Sequence, residues 1–296
     1  MSGAAQSKRG AGGSGRLAPG LYLVATPIGN ARDITLRALD VLDMADAVAA
    51  EDTRETLKLM RMHGIAARGR PVVSYNDRNG PERRPQLMGW LQDGLSVALC
   101  SDAGTPLIAD PGYRLVQEER DAGFAVTAVP GPSAAVVALT LAGLPSDRFL
   151  FAGFLPAKPG ARRKALAALA GIDATLVFYE SPRRVAAALA DMAELMGAER
   201  DSAVARELTK RFEEVRRGRL GELARHYAGA GAPRGEVVLL AAPPGAAREP
   251  EPETLETALR ESLATLSVRD AAREVAERLG LPRREVYARA LEITRE

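Results

Sequence analysis

The sequence predicts an α/β protein, built as two consecutive α/β domains followed by a small helical segment. Three observations carry that prediction. The chain has 296 residues, too many for one ordinary core. From Leu21 onward, short apolar, β-branched runs alternate with stretches whose apolar residues recur every three or four positions. That alternation is the signature of a largely parallel sheet covered on both faces. Lastly, the proline-rich stretch Glu249-Pro250-Glu251-Pro252 separates these runs from amphipathic helical patterns near the C-terminus.

The first domain is expected over residues 17–144, after a Gly/Ser/Ala-rich tail over residues 1–16. Strands are predicted at Leu21–Ala25, Ala47–Ala50, Pro71–Tyr75, Val97–Cys100 and Ala125–Val129, with helices such as Thr35–Met44 and Arg54–Met62 between them. Asp33 or Thr35 is of the residue type that caps the first of these helices. The second domain is expected over residues 145–245. Its strands are Phe149–Phe151, Thr175–Tyr179, Ser202–Arg206, Phe212–Arg219 and Val237–Ala241. The Phe212 run follows its predecessor closely enough for a hairpin, so this sheet should be mixed. Residues 246–253 read as a linker. Residues 254–296 read as a helical appendage in which Ser267–Leu279 and Arg283–Ile293 flank the turn Gly280-Leu281-Pro282, a helix-turn-helix pattern. Acidic residues match its arginines, which argues against DNA reading by this unit.

Composition narrows the function. Forty Lys+Arg against 38 Asp+Glu rule out a polycation that coats nucleic acid indiscriminately, though not a local basic face. Aromatics are only 4% of residues, which disfavours a sheet that stacks bases on exposed rings. A single cysteine, Cys100, excludes an intrachain disulfide and a cysteine-built zinc site, and two histidines give little support to a metal centre. No metal is expected. The most apolar run, Ala134 to Leu144, is about half the roughly 20 residues of a membrane span. Without a secretory signal either, the protein is expected in the cytoplasm, with no membrane partner. Cys100, His63 and Trp90 have sufficient structural readings, as strand core, helix end and packing residue.

Ligands of parallel α/β sheets bind beyond the carboxyl ends of strands, where glycine-containing loops let backbone approach them. Three loops stand out. Thr26-Pro27-Ile28-Gly29-Asn30 ends the first strand, without the lysine or glycine spacing of a nucleotide-phosphate loop. Ser101 to Gly112 packs two glycines, two prolines and two aspartates into 12 residues directly after an apolar strand. Val129-Pro130-Gly131-Pro132-Ser133 is again strand, tight turn and helix start. Together they describe a preformed pocket for a small ligand.

These loops, with Glu51-Asp52-Thr53-Arg54, Phe178-Tyr179-Glu180-Ser181-Pro182-Arg183-Arg184, Arg206-Glu207-Leu208-Thr209-Lys210 and Gly235-Glu236-Val237-Val238, make seven motifs in fixed order. In these the chain resembles the ribosomal RNA small subunit methyltransferase I family, the 16S rRNA cytidine 2′-O-methyltransferases of tetrapyrrole-methylase-like fold. The resemblance runs from about Leu21 to Leu240 and includes the helical appendage. It implies S-adenosyl-L-methionine as cofactor, held in a cleft between the two domains. It also implies 16S rRNA or the small ribosomal subunit as partner, and a homodimer. Carried over residue by residue, the cofactor contacts would be Asp102, Ala103, Gly104, Thr105, Pro106, Ile108, Pro130, Gly131, Ser133, Tyr179, Glu236 and Val237. Pro27 and Asn30 would face the substrate, and Asp52 and Arg54 are placed on that side by their turn at the same sheet edge.

The sulfonium cofactor carries the hard chemistry, so the protein must chiefly place a ribose hydroxyl and remove its proton. Glu180, Glu207 and Lys210 are the catalytic candidates, with Asp102 a further possible proton acceptor. Lys210 could serve only with a lowered pKa. RNA binding needs cations for phosphate. Residues 156–190 hold six basic residues against two acidic, and residues 202–219 six against three. From the first group Arg162, Arg163, Arg183 and Arg184 are expected to meet RNA. The alternatives are a tetrapyrrole (corrinoid or porphyrin) C-methyltransferase of the same fold and a non-catalytic, cofactor-sensing nucleic-acid-binding protein.

Overall fold

The computed structural model describes residues 16–76, 78–109, 112–245, 255–264 and 266–294, with the side chain of residue 257 excepted. The expected N-terminal tail up to residue 15, the linker 246–253, and Asp110-Pro111 of the second loop lie outside the described residues. Two compact units divide the chain near residue 246.

The first unit contains two five-stranded sheets. In chain order the first half runs β1 (Gly20–Val24), α1 (Leu36–Met44), β2 (Ala47–Ala50), α2 (Thr53–Met62), β3 (Val72–Ser74), α3 (Gly80–Gln92), β4 (Ser96–Cys100), α4 (Tyr113–Asp121), β5 (Val126–Val129) and α5 (Ala134–Ala142). Its strands pair in the order β3-β2-β4-β1-β5, all parallel. Every residue of β2 and β4 is buried, as expected of central parallel strands with both faces covered. Thr35, rather than Asp33, caps α1, its hydroxyl accepting the Ala38 N–H at 3.1 Å.

The second half runs β6 (Phe149–Phe154), α6 (Pro159–Leu169), β7 (Thr175–Glu180), α7 (Val185–Met196), β8 (Asp201–Arg206), β9 (Glu214–Arg219), α8 (Leu220–Ala230) and β10 (Val237–Ala241). The order is β6-β7-β10-β8-β9; only β6 and β7 are parallel, so the sheet is mixed, and β8-β9 is the hairpin. Strand β9 starts two residues later than the alternation of its sequence suggests. Glu213 belongs to the preceding turn, where its carboxylate accepts the Thr209 N–H at 2.7 Å.

Helix α5 joins the two halves. It carries the most apolar run of the chain, and its Ala135, Ala138, Leu139 and Ala142 pack on the second sheet against Val177, Ala203, Ala205, Val238 and Leu240. Ile28, from the loop after β1, and Leu208 enter the same cluster. The loops beyond β1 and the loops beyond β8 are therefore pressed together.

The second unit consists of α9 (Leu255–Leu263), α10 (Val268–Leu279) and α11 (Arg283–Ile293). Ser267 caps α10, and Gly280 ends it in the left-handed conformation (φ 67°) that glycine adopts without strain. Ala258, Leu259, Ala272, Val275, Val286 and Ala290 form its small core. The Ser267 to Ile293 helix-turn-helix pattern thus folds as read, with α9 as a third helix.

Candidate active site

The site is built where the parallel order of the first sheet brings the loops after β1, β4 and β5 together. The ends of β1 and of the Ser101 loop are tied by an antiparallel bridge: Thr26 N–H to Gly104 O at 2.9 Å and Gly104 N–H to Thr26 O at 3.0 Å. Thr105 Oγ1 donates to Pro132 O at 3.0 Å, fixing the third loop to the second. From the other sheet, Tyr179 Oη accepts the Ala135 N–H at 3.2 Å, at the first turn of α5.

Two adjoining cavities result. The first, about 440 Å³, is walled by both sheets and lies in the size range of small-molecule sites. Asp102, Ala103, Gly104, Thr105, Ile108, Ser133, Tyr179, Glu236 and Val237 all line it. So does Glu180, expected from sequence as a catalytic candidate. Three expected cofactor contacts do not. Pro106 is buried outside the wall, while Pro130 and Gly131 are exposed away from it. Gly131 serves packing instead, since a Cβ there would sit 2.9 Å from Ala25 Cβ. Sequence reading missed Phe154, Ser181, Pro182 and Val238 as site lining.

The second cavity, about 470 Å³, is lined by Pro27, Gly29, Glu55, Lys58, Met62 and Lys210, among others. It shares Ile28, Asp102, Ala103 and Glu236 with the first. Asn30 is not in its wall. Its carboxamide oxygen accepts the Arg32 N–H, and its own N–H donates to Thr209 Oγ1 at 3.0 Å. Asp52 and Arg54 also stand outside both walls. Asp52 caps α2 and pairs with Arg54 at 2.6 Å, and hydrogen bonds from Arg54 hold its carboxyl down at about 2.

At the junction, the Lys210 ammonium contacts Glu207 Oε1 at 2.9 Å and Glu236 Oε2 at 3.0 Å. Burial alone would lower the lysine pKa, but these two hydrogen bonds outweigh it and raise the value. Lys210 is therefore a fixed cation, which corrects the possibility that it acts as a base. Its bond to Glu207 pulls that carboxyl below its ordinary range, and Glu207 lines neither of the two cavities. Asp102 behaves differently. Burial, with help from the charges of Asp52 and Glu55, raises its carboxyl above the ordinary value.

The turn carrying Lys210 is held tightly. Glu207 and Thr209 have positive φ, 49° and 63°, an unfavourable conformation for residues with a Cβ. Opposite them, a Cβ at Gly235 (φ 83°) would lie 1.9 Å from Glu207 Oε1, and one at Gly29 would lie 2.6 Å from Lys210 Cγ. Only glycine lets these three turns close on one another.

Glu180 carries the clearest sign of a ligand. Its side chain is fully buried; Oε1 accepts the Ser181 N–H and the Arg184 guanidinium, both at 2.6 Å. Oε2 has no partner among the described residues. A buried carboxylate oxygen left unpaired in a cavity wall is an acceptor awaiting a donor.

The expected RNA-binding arginines are largely engaged within the fold. Arg162, with 6% of its side chain exposed, pairs with Asp191 at 2.7 Å and braces α6 against α7. Arg163 pairs with Asp191 and Glu194, and Arg184 with Glu180. Arg162 is thus removed from any phosphate-reading face, because its charge is buried and neutralised. Of the four, Arg183 is exposed and has no ion pair among the described residues. No group of three metal-ligating side chains occurs among the described residues, and no helix there is long and apolar enough to cross a membrane.

Comparison with known proteins accords with this architecture. Residues 20–224 match the family described as Tetrapyrrole (Corrin/Porphyrin) Methylases, and residues 249–294 match the RsmI C-terminal HTH domain. A Ribosomal RNA small subunit methyltransferase I of Mesorhizobium japonicum is 51% identical, over 94% of this chain and 93% of its own. The protein of the same name from Escherichia coli O157:H7 is 45% identical, over 92% and 94%. Among solved structures, the methyltransferase CobJ superposes with a TM-score of 0.57 at 19% identity, covering 78% of this chain and 96% of its own. Uroporphyrin-III C-methyl transferase from Thermus thermophilus, complexed with S-adenyl homocysteine, gives 0.53 at 20% identity, covering 75% and 96%. These two structures share the fold; the sequence relatives go further, and the chain belongs to the tetrapyrrole methylase family and, within it, to the ribosomal RNA small subunit methyltransferase I family.

Proposed function

We propose that the chain is an S-adenosylmethionine-dependent methyltransferase of 16S ribosomal RNA, acting on the 2′-hydroxyl of a cytidine ribose. The observation that carries this reading is the pair of adjoining cavities that share Asp102 and Glu236, with the Lys210 cation beside the junction. One cavity suits a small cofactor; the other opens beside it and can receive an acceptor group. The close relatives are named as enzymes of small-subunit ribosomal RNA, which directs the reading to RNA rather than to a macrocycle.

The residues of the 440 Å³ cavity fit the cofactor. Glu180 Oε2 offers an acceptor for an ammonium or ribose hydroxyl, while Ile28, Ile108, Phe154, Val237 and Val238 offer apolar wall for a base. The cofactor supplies, when bound, an electrophilic methyl group on a sulfonium. The protein supplies position and proton removal. The closely packed turns around Gly29 and Gly235 and the bridge between Thr26 and Gly104 hold the two cavities in fixed register, which favours in-line placement of a hydroxyl. Lys210 orients acceptor oxygens as a cation. Of the four proton-acceptor candidates, Asp102 alone faces both cavities, and burial makes its carboxylate a stronger base than an ordinary aspartate. Arg183 belongs to the RNA-facing surface in this reading.

The same reading places the protein in the cytoplasm, as a homodimer, which light scattering on purified protein would check. The function itself is tested by transfer of a labelled methyl group to small-subunit RNA or particles lacking the modification. Transfer to a tetrapyrrole, with none to ribosomal substrate, would overturn it.

A further inference from the structure

A third cavity, about 450 Å³, lies outside the site just described, between the start of β9, the end of α8 and residues 231–234. Its lining combines aromatic and cationic groups. Tyr227 is buried in its floor, and Phe212 stands at its mouth with 66% of its surface exposed. The Arg211 guanidinium lies 5.5 Å from the Phe212 ring centre, over its face. Arg206 and Arg216 share one carboxylate: Glu214 Oε2 meets Arg206 at 2.6 Å, and Oε1 meets Arg216 at 3.1 Å. Two guanidiniums on one carboxylate leave a net positive charge, and Arg234, also in the wall, is exposed with no ion pair among the described residues.

This cavity lies across one ion pair from the active site. Glu207 lines it, and the same carboxylate holds Lys210, which lines the 470 Å³ cavity. The strained turn at Glu207 and Thr209 fixes the distance between them. A solvent-exposed aromatic ring, a buried tyrosine and surplus guanidinium charge are what a splayed nucleotide of single-stranded RNA requires. The base finds a face to stack on, and the phosphate a cation.

We infer that this third cavity is a nucleotide subsite for the same RNA strand whose ribose enters the 470 Å³ cavity. Phe212 provides the stacking face, and Arg234 the phosphate contact. The inference rests on the RNA reading given above. A flanking nucleotide held here would fix the register of the strand, and so which ribose is presented.

The test compares Phe212→Ala, Phe212→Trp, Arg234→Ala and the double alanine variant with the parent protein. Each is assayed for affinity to a fluorescent single-stranded RNA carrying the target sequence, for methyl transfer to small-subunit particles, and for cofactor affinity by calorimetry. Phe212→Ala should weaken RNA binding on the order of tenfold and Phe212→Trp should retain it. Arg234→Ala should reduce the salt dependence of binding by about one phosphate contact. In both cases KM for RNA should rise while cofactor affinity holds. Unchanged RNA affinity in the double variant overturns the subsite while leaving the methyltransferase reading intact. Equal loss of cofactor affinity also overturns it, because the cavity would then be structural. An inactive parent protein would instead overturn the reading beneath.

Discussion

The backbone N–H of Asp52 donates to Asp102 Oδ1 at 2.8 Å, so the turn after β2 orients the carboxylate that faces both cavities. This gives Asp52 a role different from the substrate contact its motif implies. It holds Asp102 while its own charge, beside Arg54, stays fixed at all ordinary pH values.

Asp102→Asn should therefore lower kcat by about 10²- to 10⁴-fold, the usual worth of a positioned base. Because Asp102 must be ionised to accept a proton, the rate should fall as pH drops through its raised pKa, and the variant should lack that acidic limb. A pH–rate profile under saturating RNA checks this. An unchanged limb would show that another group takes the proton.

Glu180 and Arg184 make a second, separable pair. Removing the guanidinium in Arg184→Ala leaves a fully buried carboxylate without its counter-charge, which should destabilise the fold by about 3–5 kcal/mol. Glu180→Gln keeps the shape but not the charge. It should weaken cofactor binding by tenfold or more, since hydrogen bonds to charged groups are worth about 1.5–3 kcal/mol. Calorimetry separates the two effects, and full cofactor affinity in Glu180→Gln would remove Oε2 from the binding site.

Much of this was legible in the sequence, and the illegible parts have physical causes. Strands β2, β4 and β10 are short unbroken apolar runs because both of their faces are covered, and they stand out for that reason. Strand β6 runs three residues beyond the Phe149–Phe151 stretch that the sequence suggests, to Phe154. In the structure Gly153 (φ 64°) lies within an irregularity between Phe151 and Phe154, which carries Phe154 to 5.5 Å from the Tyr179 ring and into the wall of the 440 Å³ cavity. Helix α5 is apolar on nearly all sides, so nothing in its pattern says which sheet it covers. The charge count around Arg162 misleads for a similar reason. Its partner Asp191 is 29 residues away, and counting along the chain cannot pair them.

That pairing yields a contrast between two arginines of one expected patch. Arg162→Ala should cost about 1.5–3 kcal/mol in a denaturant melt, because it takes the buried guanidinium from Asp191 and leaves that carboxylate only its contact with Arg163, while the folded fraction binds RNA normally. Arg183→Ala should leave the melt unchanged and weaken RNA binding, most visibly at low salt. The reverse pattern would mean that the ion pair is dispensable and Arg162 reaches the RNA.

Glu119 predicts a pH dependence of stability unrelated to catalysis. It lies on α4 with no exposed surface, and neither carboxylate oxygen has a partner among the described residues. Burial pushes its pKa from an ordinary 4.5 up to about 8. Between those values the folded protein holds a proton that the unfolded chain has released, so stability must fall as pH rises through this window. The slope contributed by one such group is at most about 1.4 kcal/mol per pH unit. Glu119→Leu removes the group and should flatten the curve, leaving the variant the more stable protein at pH 9 and the difference smallest near pH 5. Urea melts of both proteins across pH 5–9 test this. Parallel curves would mean that the buried carboxyl finds a partner in solution.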